Sequence, residues 1–252
     1  MSPPLPRVLT SADNPQFKLW DSLAEPRGLK KHGQFILAGR KSVPEALARW
    51  PDRFSAVLTT DGAVPLSLPQ EVLVYALSRP LFAQLDSFGT GAPLLVGTVP
   101  EMPALDLGAP PQGLELLCAV GDPANLGALL RSAAAFGVAR VVLLEGAAHP
   151  FHPRALRAAA NAPFQVELRR GPRWDNLAGA AGPLVALDAR GEPLGDYAWP
   201  SDGRLVLGEE GPGVPAHLPL QRLAIPMPGG VESLNATVAA SIALYAWRQR
   251  RS

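Results

Sequence analysis

RLVLGEEGPGVPAHLPLQRLAIPMPGGVESLNATVAASIALYAWR, residues 204–248, is the stretch whose reading decides the fold. Two short apolar runs, residues 205–207 and 223–225, have the length of buried strands, and each empties into a loop rich in Gly and Pro. From Ser233 the period changes. Leu234, Val238, Ile242 and Tyr245 recur at helical spacing with Ala and Ser between them, which predicts a small-residue helix starting at the end of the second loop. A strand that stops at a glycine loop and faces a helix start is where open α/β sheets bind ligands, because backbone N–H groups lie unpaired there. Neither the G-x-G-x-x-G dinucleotide fingerprint nor the G-x-x-x-x-G-K-[ST] phosphate loop is present. In their place stand Gly208-x-Glu210-x-x-Gly213 and Ile225-Pro226-Met227-x-Gly229, the latter followed by Ser233-Leu234-Asn235.

Upstream, residues 114–120 form a mostly apolar run of the kind found in buried parallel strands, ending at Gly121-Asp122. A loop over residues 123–127 and a helix over 128–136, closed by Gly137, are expected next. Arg131, four residues after Gly127, then lies one turn into the helix, where it can reach back toward Asn125. Taken singly, Asn125 could cap the helix and Arg131 could pair with a surface carboxylate. Residues 140–144, 165–168 and 184–187 read as further strands and 174–181 as a helix, so strand and helix alternate as in a parallel sheet covered on both faces. Between the first two of these strands lies HPFHPRALRAAANAPF. Its His149-x-x-His152 pair has no Cys or acidic partner nearby and is interrupted by prolines, so no metal site is expected.

The first hundred residues read as a smaller α/β domain. Ser11 or Asp13 is a candidate cap for a helix with a Phe17, Trp20, Leu23 stripe; a short strand at 35–37 follows, then a helix carrying Val43, Ala46, Leu47 and Trp50. Strands at 56–58, 72–75 and 94–99 and a helix near 81–85 complete it. Residues 101–113, EMPALDLGAPPQG, read as an extended, semi-rigid linker, dividing the chain into domains at 1–100 and 114–252.

With 252 residues, 47% of them hydrophobic and 18% charged, the chain can bury two cores. Its single cysteine, Cys118, excludes an internal disulfide and, inside an apolar run, reads as a small core residue. No segment approaches the roughly 20 apolar residues of a membrane span, and the N-terminus lacks the basic and apolar parts of a signal peptide, so a cytoplasmic location is expected. The net charge of +1 hides an uneven distribution: residues 1–53 hold nine Lys/Arg against five Asp/Glu, and residues 148–174 hold five Arg against one Glu. Any one cluster is explained by a solvated surface. Together, Arg27, Lys30, Lys31, Arg40, Arg154 and Arg157 are candidates to contact the phosphate oxygens of a nucleic acid.

The two C-terminal motifs closely resemble those of the SpoU family, the RNA ribose 2′-O-methyltransferases with a deep trefoil knot. A third motif agrees: D-P-x-N-x-G-x-x-x-R-x-A-x-x-F-G stands here as Asp122, Pro123, Asn125, Gly127, Arg131, Ala133, Phe136 and Gly137. S-x-x-N-P (Ser11, Asn14, Pro15) and F-x-x-x-G-R (Phe35, Gly39, Arg40) are similar to the family's N-terminal substrate-binding domain, a module like ribosomal protein L30. The resemblance implies a knotted, parallel-sheet C-terminal domain that binds S-adenosylmethionine at Leu207, Gly208, Ile225, Met227, Gly229, Ser233 and Leu234. It implies catalytic roles for Asn125, Arg131, Glu210, Ser233 and Asn235, and a homodimer formed through helices beside the knot. An arginine holds its proton, with a pKa above about 12, so Arg131 is better suited to orient the ribose hydroxyl or its phosphate than to act as the base. Ribosomal RNA is preferred over transfer RNA as substrate. The family's R-A-S-x-G-A segment departs here, with Ala159 and Asn161 where Ser and Gly are expected, and this departure motivates an alternative, a non-catalytic RNA-binding protein that kept the fold.

Overall fold

A computed structural model of the chain describes residues 5–60, 68–69, 71–209, 211–230 and 233–250. The chain divides into two compact units, Met1–Pro100 with His149–Asn161, and Glu101–Ala148 with Ala162–Ser252.

In the first unit β1 (Arg7–Leu9), α1 (Pro15–Ser22), α2 (Pro26–His32), β2 (Gln34–Leu37), α3 (Ser42–Arg49), β3 (Phe54–Thr59), β4 (Leu73–Leu77), α4 (Arg79–Leu85) and β5 (Leu94–Thr98) follow in order. They build a five-stranded sheet, β1-β4-β3-β5-β2, in which β5 runs antiparallel to both its neighbours and the other pairs are parallel. The cap of α1 is Asn14, in place of the expected Ser11 or Asp13: its Oδ1 accepts from Gln16 N at 2.8 Å. Pro15 decides this, since proline suits the first helical position and puts the cap on the residue before it.

The second unit contains β6 (Leu114–Cys118), α5 (Pro123–Phe136) and β7 (Arg140–Leu143). After α6 (Pro153–Ala159), which belongs to the first unit, it resumes with β8 (Glu167–Arg170), β9 (Leu184–Pro193), β10 (Gly203–Leu207), β11 (Gln221–Ala224) and α7 (Ala236–Gln249). The sheet is wholly parallel, in the order β11-β9-β10-β6-β7-β8. β10 and β11 each start two residues early, α7 starts at Ala236, and four further elements differ from the sequence reading. α5 begins at Pro123 and absorbs the expected loop, because Asp122 accepts from Ala124 N and Asn125 N, both at 2.9 Å, and caps the helix there. β8 starts two residues late, after a 3-10 turn at Ala162–Phe164, and residues 174–179 form a 3-10 helix. β9 runs six residues beyond its expected end.

Two boundaries also move. Residues 149–161 leave the second unit for the first: Phe151 is fully buried with its ring 4.8 Å from that of Phe35, and Asn161 Nδ2 donates to Ser42 O at 3.0 Å and Glu45 Oε2 at 3.1 Å. The 101–113 segment is part of the second unit and is no free linker. Arg170 N donates to Pro103 O and Leu105 N to Arg170 O, both at 2.9 Å, while Leu105 and Leu107 pack on the core.

The register aligns Arg204 with Glu115, Glu115 with Arg140, and Arg140 with Glu167, so alternating charges cross β10, β6, β7 and β8. Arg204 Nε and Arg140 NH1 donate to the two oxygens of the fully buried Glu115, at 2.8 and 2.7 Å. Arg204 also donates to Ala181 O at 2.6 Å and Ala109 O at 2.8 Å. Cys118 lies in the same sheet, where burial pushes its pKa up to about 12 against a weaker lowering by the backbone of Val120. Among the described residues no helix is long and apolar enough to cross a membrane.

Removing one partner of a buried ion pair costs about 3–5 kcal/mol. Arg204→Met is therefore expected to lower stability by an amount in that range in urea denaturation, whereas Glu167→Gln, at an exposed end of the row, should change it by less than about 1 kcal/mol. Equal effects of the two substitutions would show that Arg204 carries no special load.

Candidate active site

The C-terminal ends of β10 and β11, with the middle of β9 beside them, open into a cavity of about 540 Å³, the size range of ligand sites. In a parallel sheet these ends carry the loops, so several chain segments meet in one crevice. The first wall is the loop after β10. Gly208 is obligatory there, because a Cβ would lie 2.0 Å from Gly213 C and 2.3 Å from Val214 N where the loop closes on itself. The second wall is Ile225 and Met227 after β11, and the third is Ser233, Leu234 and Asn235 leading into α7. A fourth, Leu187 to Arg190 within β9, had no counterpart in the sequence reading, which ended that strand at residue 187.

Six of the expected cofactor residues, Leu207, Gly208, Ile225, Met227, Ser233 and Leu234, line this cavity. Gly229 is exposed and is not part of the lining. Of the expected catalytic residues, Ser233 and Asn235 also line it. Asn235 has two tasks. Its Oδ1 caps α7, accepting from Thr237 N at 2.9 Å and Val238 N at 3.3 Å, and its Nδ2 donates to Asn125 Oδ1 at 3.3 Å. Thr237 Oγ1 donates to Asn125 O at 2.9 Å, which fixes Asn125 at the edge of the site. Glu210 lies outside the described residues.

Arg131 stands elsewhere. Since α5 starts at Pro123, Asn125 and Arg131 are both helical and six residues apart, about 9 Å along the axis and about 240° around it. They do not share a face as the shorter helix implied. Arg131 is exposed and does not line the cavity. α5 packs along α7, with Ser132 Oγ 2.8 Å from Ser241 Oγ and the Phe136 and Tyr245 rings 6.3 Å apart. The buried face of α7 is Thr237, Ala240, Ala243, Leu244 and Trp247. Val238, Ile242 and Tyr245, which the periodicity singled out, are 48%, 38% and 54% exposed.

The six candidate RNA contacts, Arg27, Lys30, Lys31, Arg40, Arg154 and Arg157, are all exposed and all belong to the first unit. Two of them meet the turn at 88–90: Arg40 Nε donates to Thr90 O at 3.0 Å, and the Arg157 guanidinium lies 4.5 Å from the Phe88 ring centroid. His149 accepts from Phe151 N and His152 from Arg154 N, both through Nδ1 at 3.2 Å. Burial, then the charges of Lys30 and His152, lower the His149 pKa to about 4, so its ring is neutral at physiological pH. Among the described residues no group of three His, Cys, Asp or Glu side chains is placed to hold a metal.

Residues 116–245, more than half of the chain, match the model of the SpoU rRNA Methylase family. The chain belongs to that family. It is 39% identical over 98% of its length to a Syntrophobacter fumaroxidans protein, the ribosomal RNA small subunit methyltransferase G 2, but spans only 50% of that protein. It is 32% identical to RlmP of Bacillus subtilis, a 23S rRNA (guanosine(2553)-2′-O)-methyltransferase, covering 95% of this chain and 98% of RlmP. The fold matches that of an rRNA methyltransferase from Sinorhizobium meliloti solved with AdoMet bound, with a TM-score of 0.80 over 96% of this chain and 97% of that one, at 23% identity. Within SpoU terms, the departure at residue 161 is accommodated by conformation. Asn161 has φ 66°, in the left-handed region that glycine favours and asparagine tolerates.

Asn235→Ala removes the α7 cap and the link to Asn125 and should lower stability by about 1 kcal/mol. Asn235→Asp keeps the cap and should recover most of the loss in thermal unfolding; no recovery would place the stabilisation in the Asn125 link.

Proposed function

We propose that this SpoU protein is an S-adenosylmethionine-dependent RNA methyltransferase that methylates a ribose 2′-hydroxyl of ribosomal RNA. One observation carries the reading: six of the expected cofactor residues, scattered between positions 207 and 234, line one cavity, with Asn235 on its wall. The cavity suits the cofactor. Leu207, Ile225, Met227 and Leu234 offer apolar surface to an adenosine, Gly208 allows close backbone approach, and the Glu209 carboxylate complements a cationic sulfonium. The AdoMet-bound structure of the same fold and the activity named for RlmP support the same assignment. SpoU resemblance adds a trefoil knot at these loops, and insertion of β10 between β6 and β9, with β11 outside, agrees with it.

When bound, the cofactor supplies an electrophilic methyl group. The protein must bring a hydroxyl into line with it and assist loss of the proton. Asn235 and Asn125, held together at 3.3 Å, and the exposed Ser233 orient polar groups at the rim. Arg131 orients the ribose or its phosphate and stabilises developing negative charge. The exposed basic residues of the first unit hold the RNA backbone.

The protein acts as a homodimer. The exposed Val238, Ile242 and Tyr245 form an apolar stripe along α7 that a second copy would cover, and Arg131, exposed on the helix packed beside it, would then stand near the junction.

Calorimetric titration should give saturable heat with S-adenosylmethionine and its demethylated product and none with NAD; silence with both, repeated with ribosomal RNA present, would turn the assignment to a non-catalytic RNA binder. Arg131→Ala should abolish methyl transfer to ribosomal RNA with cofactor affinity within about threefold of wild type, and parallel loss of both would make the residue structural. Light scattering should give the mass of two chains at micromolar concentration and of one for Ile242→Lys. A wild-type monomer would remove the dimer.

A further inference from the structure

Arg222 does not line the cavity, yet its side chain reaches two of the walls and its strand leads into a third. Guanidinium NH1 donates to the Asp188 carboxylate and, at 3.3 Å, to Val214 O; NH2 donates to Pro215 O at 2.8 Å. Asp188 lies on the wall within β9, and Val214 ends the part of the glycine loop that lines the cavity. Ile225 and Met227 begin one residue beyond the end of β11. The Arg222 and Asp188 side chains are 17% and 10% exposed, so solvent competes little for these bonds.

The register shows why a tie is needed here. Between Arg222 and Leu223 the partner on β9 jumps from Ala186 to Glu192, so residues 187–191 have no partner on β11. Four of these five residues form the wall. The foot of the excursion is held close: a Cβ on Gly191 would lie 2.4 Å from Arg222 C and 2.5 Å from Leu223 N, which only glycine avoids. Its crown is held by Asp188. Burial pushes that carboxyl up, but hydrogen bonds from the Arg190 backbone, the Arg190 side chain and Arg222 outweigh burial and hold the pKa below the ordinary carboxylate value. Arg190 donates from N at 3.0 Å and Nε at 3.3 Å, but its side chain is 77% exposed and belongs to the excursion itself. Only Arg222 links the carboxylate to another segment by a hydrogen bond among the described residues.

We propose that Arg222 is a positioning residue for cofactor binding: through Asp188, Val214 O and Pro215 O it sets the separation of the cavity walls. The inference rests on the reading of this cavity as the cofactor site. A forked, planar guanidinium can serve three acceptors at once, whereas a lysine ammonium offers a single point charge on a flexible stem. Loss of the fork leaves a carboxylate short of its inter-segment partner and two carbonyls without this donor.

The test uses the full chain, with affinity for S-adenosylmethionine and its demethylated product read by calorimetry and backbone amide exchange read without ligand. Arg222→Met should weaken both ligands at least tenfold, raise exchange at 187–190 and 211–214, and leave β6 and β7 protected. Arg222→Lys should recover part of the affinity, and Asp188→Asn combined with Arg222→Met should bind no more weakly than Arg222→Met alone. In methylation assays KM for the cofactor should rise while kcat changes less than threefold. Asp13→Asn, at an exposed pair in the first unit, is the control and should match wild type. Affinity of Arg222→Met within twofold of wild type, or a uniform rise in exchange across the second sheet, would overturn the proposal. If Arg222→Met does not fold, the isosteric Asp188→Asn carries the same criteria. If wild type binds neither ligand, the cofactor reading itself fails, and the exchange pattern alone shows whether the pair still positions these walls.

Discussion

The second unit depends on a buried run of alternating charge across its central strands. Glu115 is completely enclosed and shared between Arg204 and Arg140. Ion pairs of this kind add little net stability over apolar packing, because both charges are stripped of water. They are intolerant of misalignment, however. A slip of one residue between β6 and either neighbour would turn a charge to the opposite face and leave Glu115 unpaired in the interior. The same arginine binds carbonyls at Ala109 and Ala181, so the segment before β6 and the turn before β9 are tied to that register. Level C-terminal ends of β10, β6, β7 and β8 follow.

What converges at the cavity is mainly backbone. Glycine at 208 lets the first loop fold on itself, and Asn235 starts α7 while reaching across to Asn125. One side chain thus couples helix initiation to site geometry. Arg222 has a comparable role, tied to two of the walls but away from the lining. The charged groups nearest the ligand space, Asp188, Arg190 and Glu209, come from segments whose placement depends on such supports.

In the first unit the same dependence on remote contacts appears at residues 149–161. Phe151 fits against Phe35, and Ala160 and Asn161 take left-handed conformations where α6 ends. The Asn161 amide donates to Ser42 and Glu45 and so anchors that turn to α3. Asparagine at 161, where the resemblance expects glycine, takes a left-handed conformation and adds an anchor. One consequence is that Arg154 and Arg157 belong to the same unit as Arg27, Lys30, Lys31 and Arg40.

The sequence by itself determined the α/β class and the parallel character of the second sheet, through local rules: apolar runs of strand length, glycine loops at their ends, and helical periods between them. The family resemblance, and not these rules, supplied the six cofactor residues and Asn235 that line the cavity. The sequence also marked Val238, Ile242 and Tyr245 as one stripe, but could not say that the stripe faces outward, since periodicity defines a face and not its partner. Arg204 was legible only as a charge beside an apolar run and Glu115 as a charge within one, because their pairing spans 89 positions. The start of α5, and with it the separation of Asn125 from Arg131, turned on whether Asp122 or a later residue capped the helix. The Arg222 tie and the excursion at 187–191 were decided by tertiary structure alone. Both arise from the register between strands distant in the chain, and register is set by which side chains meet when the sheet closes.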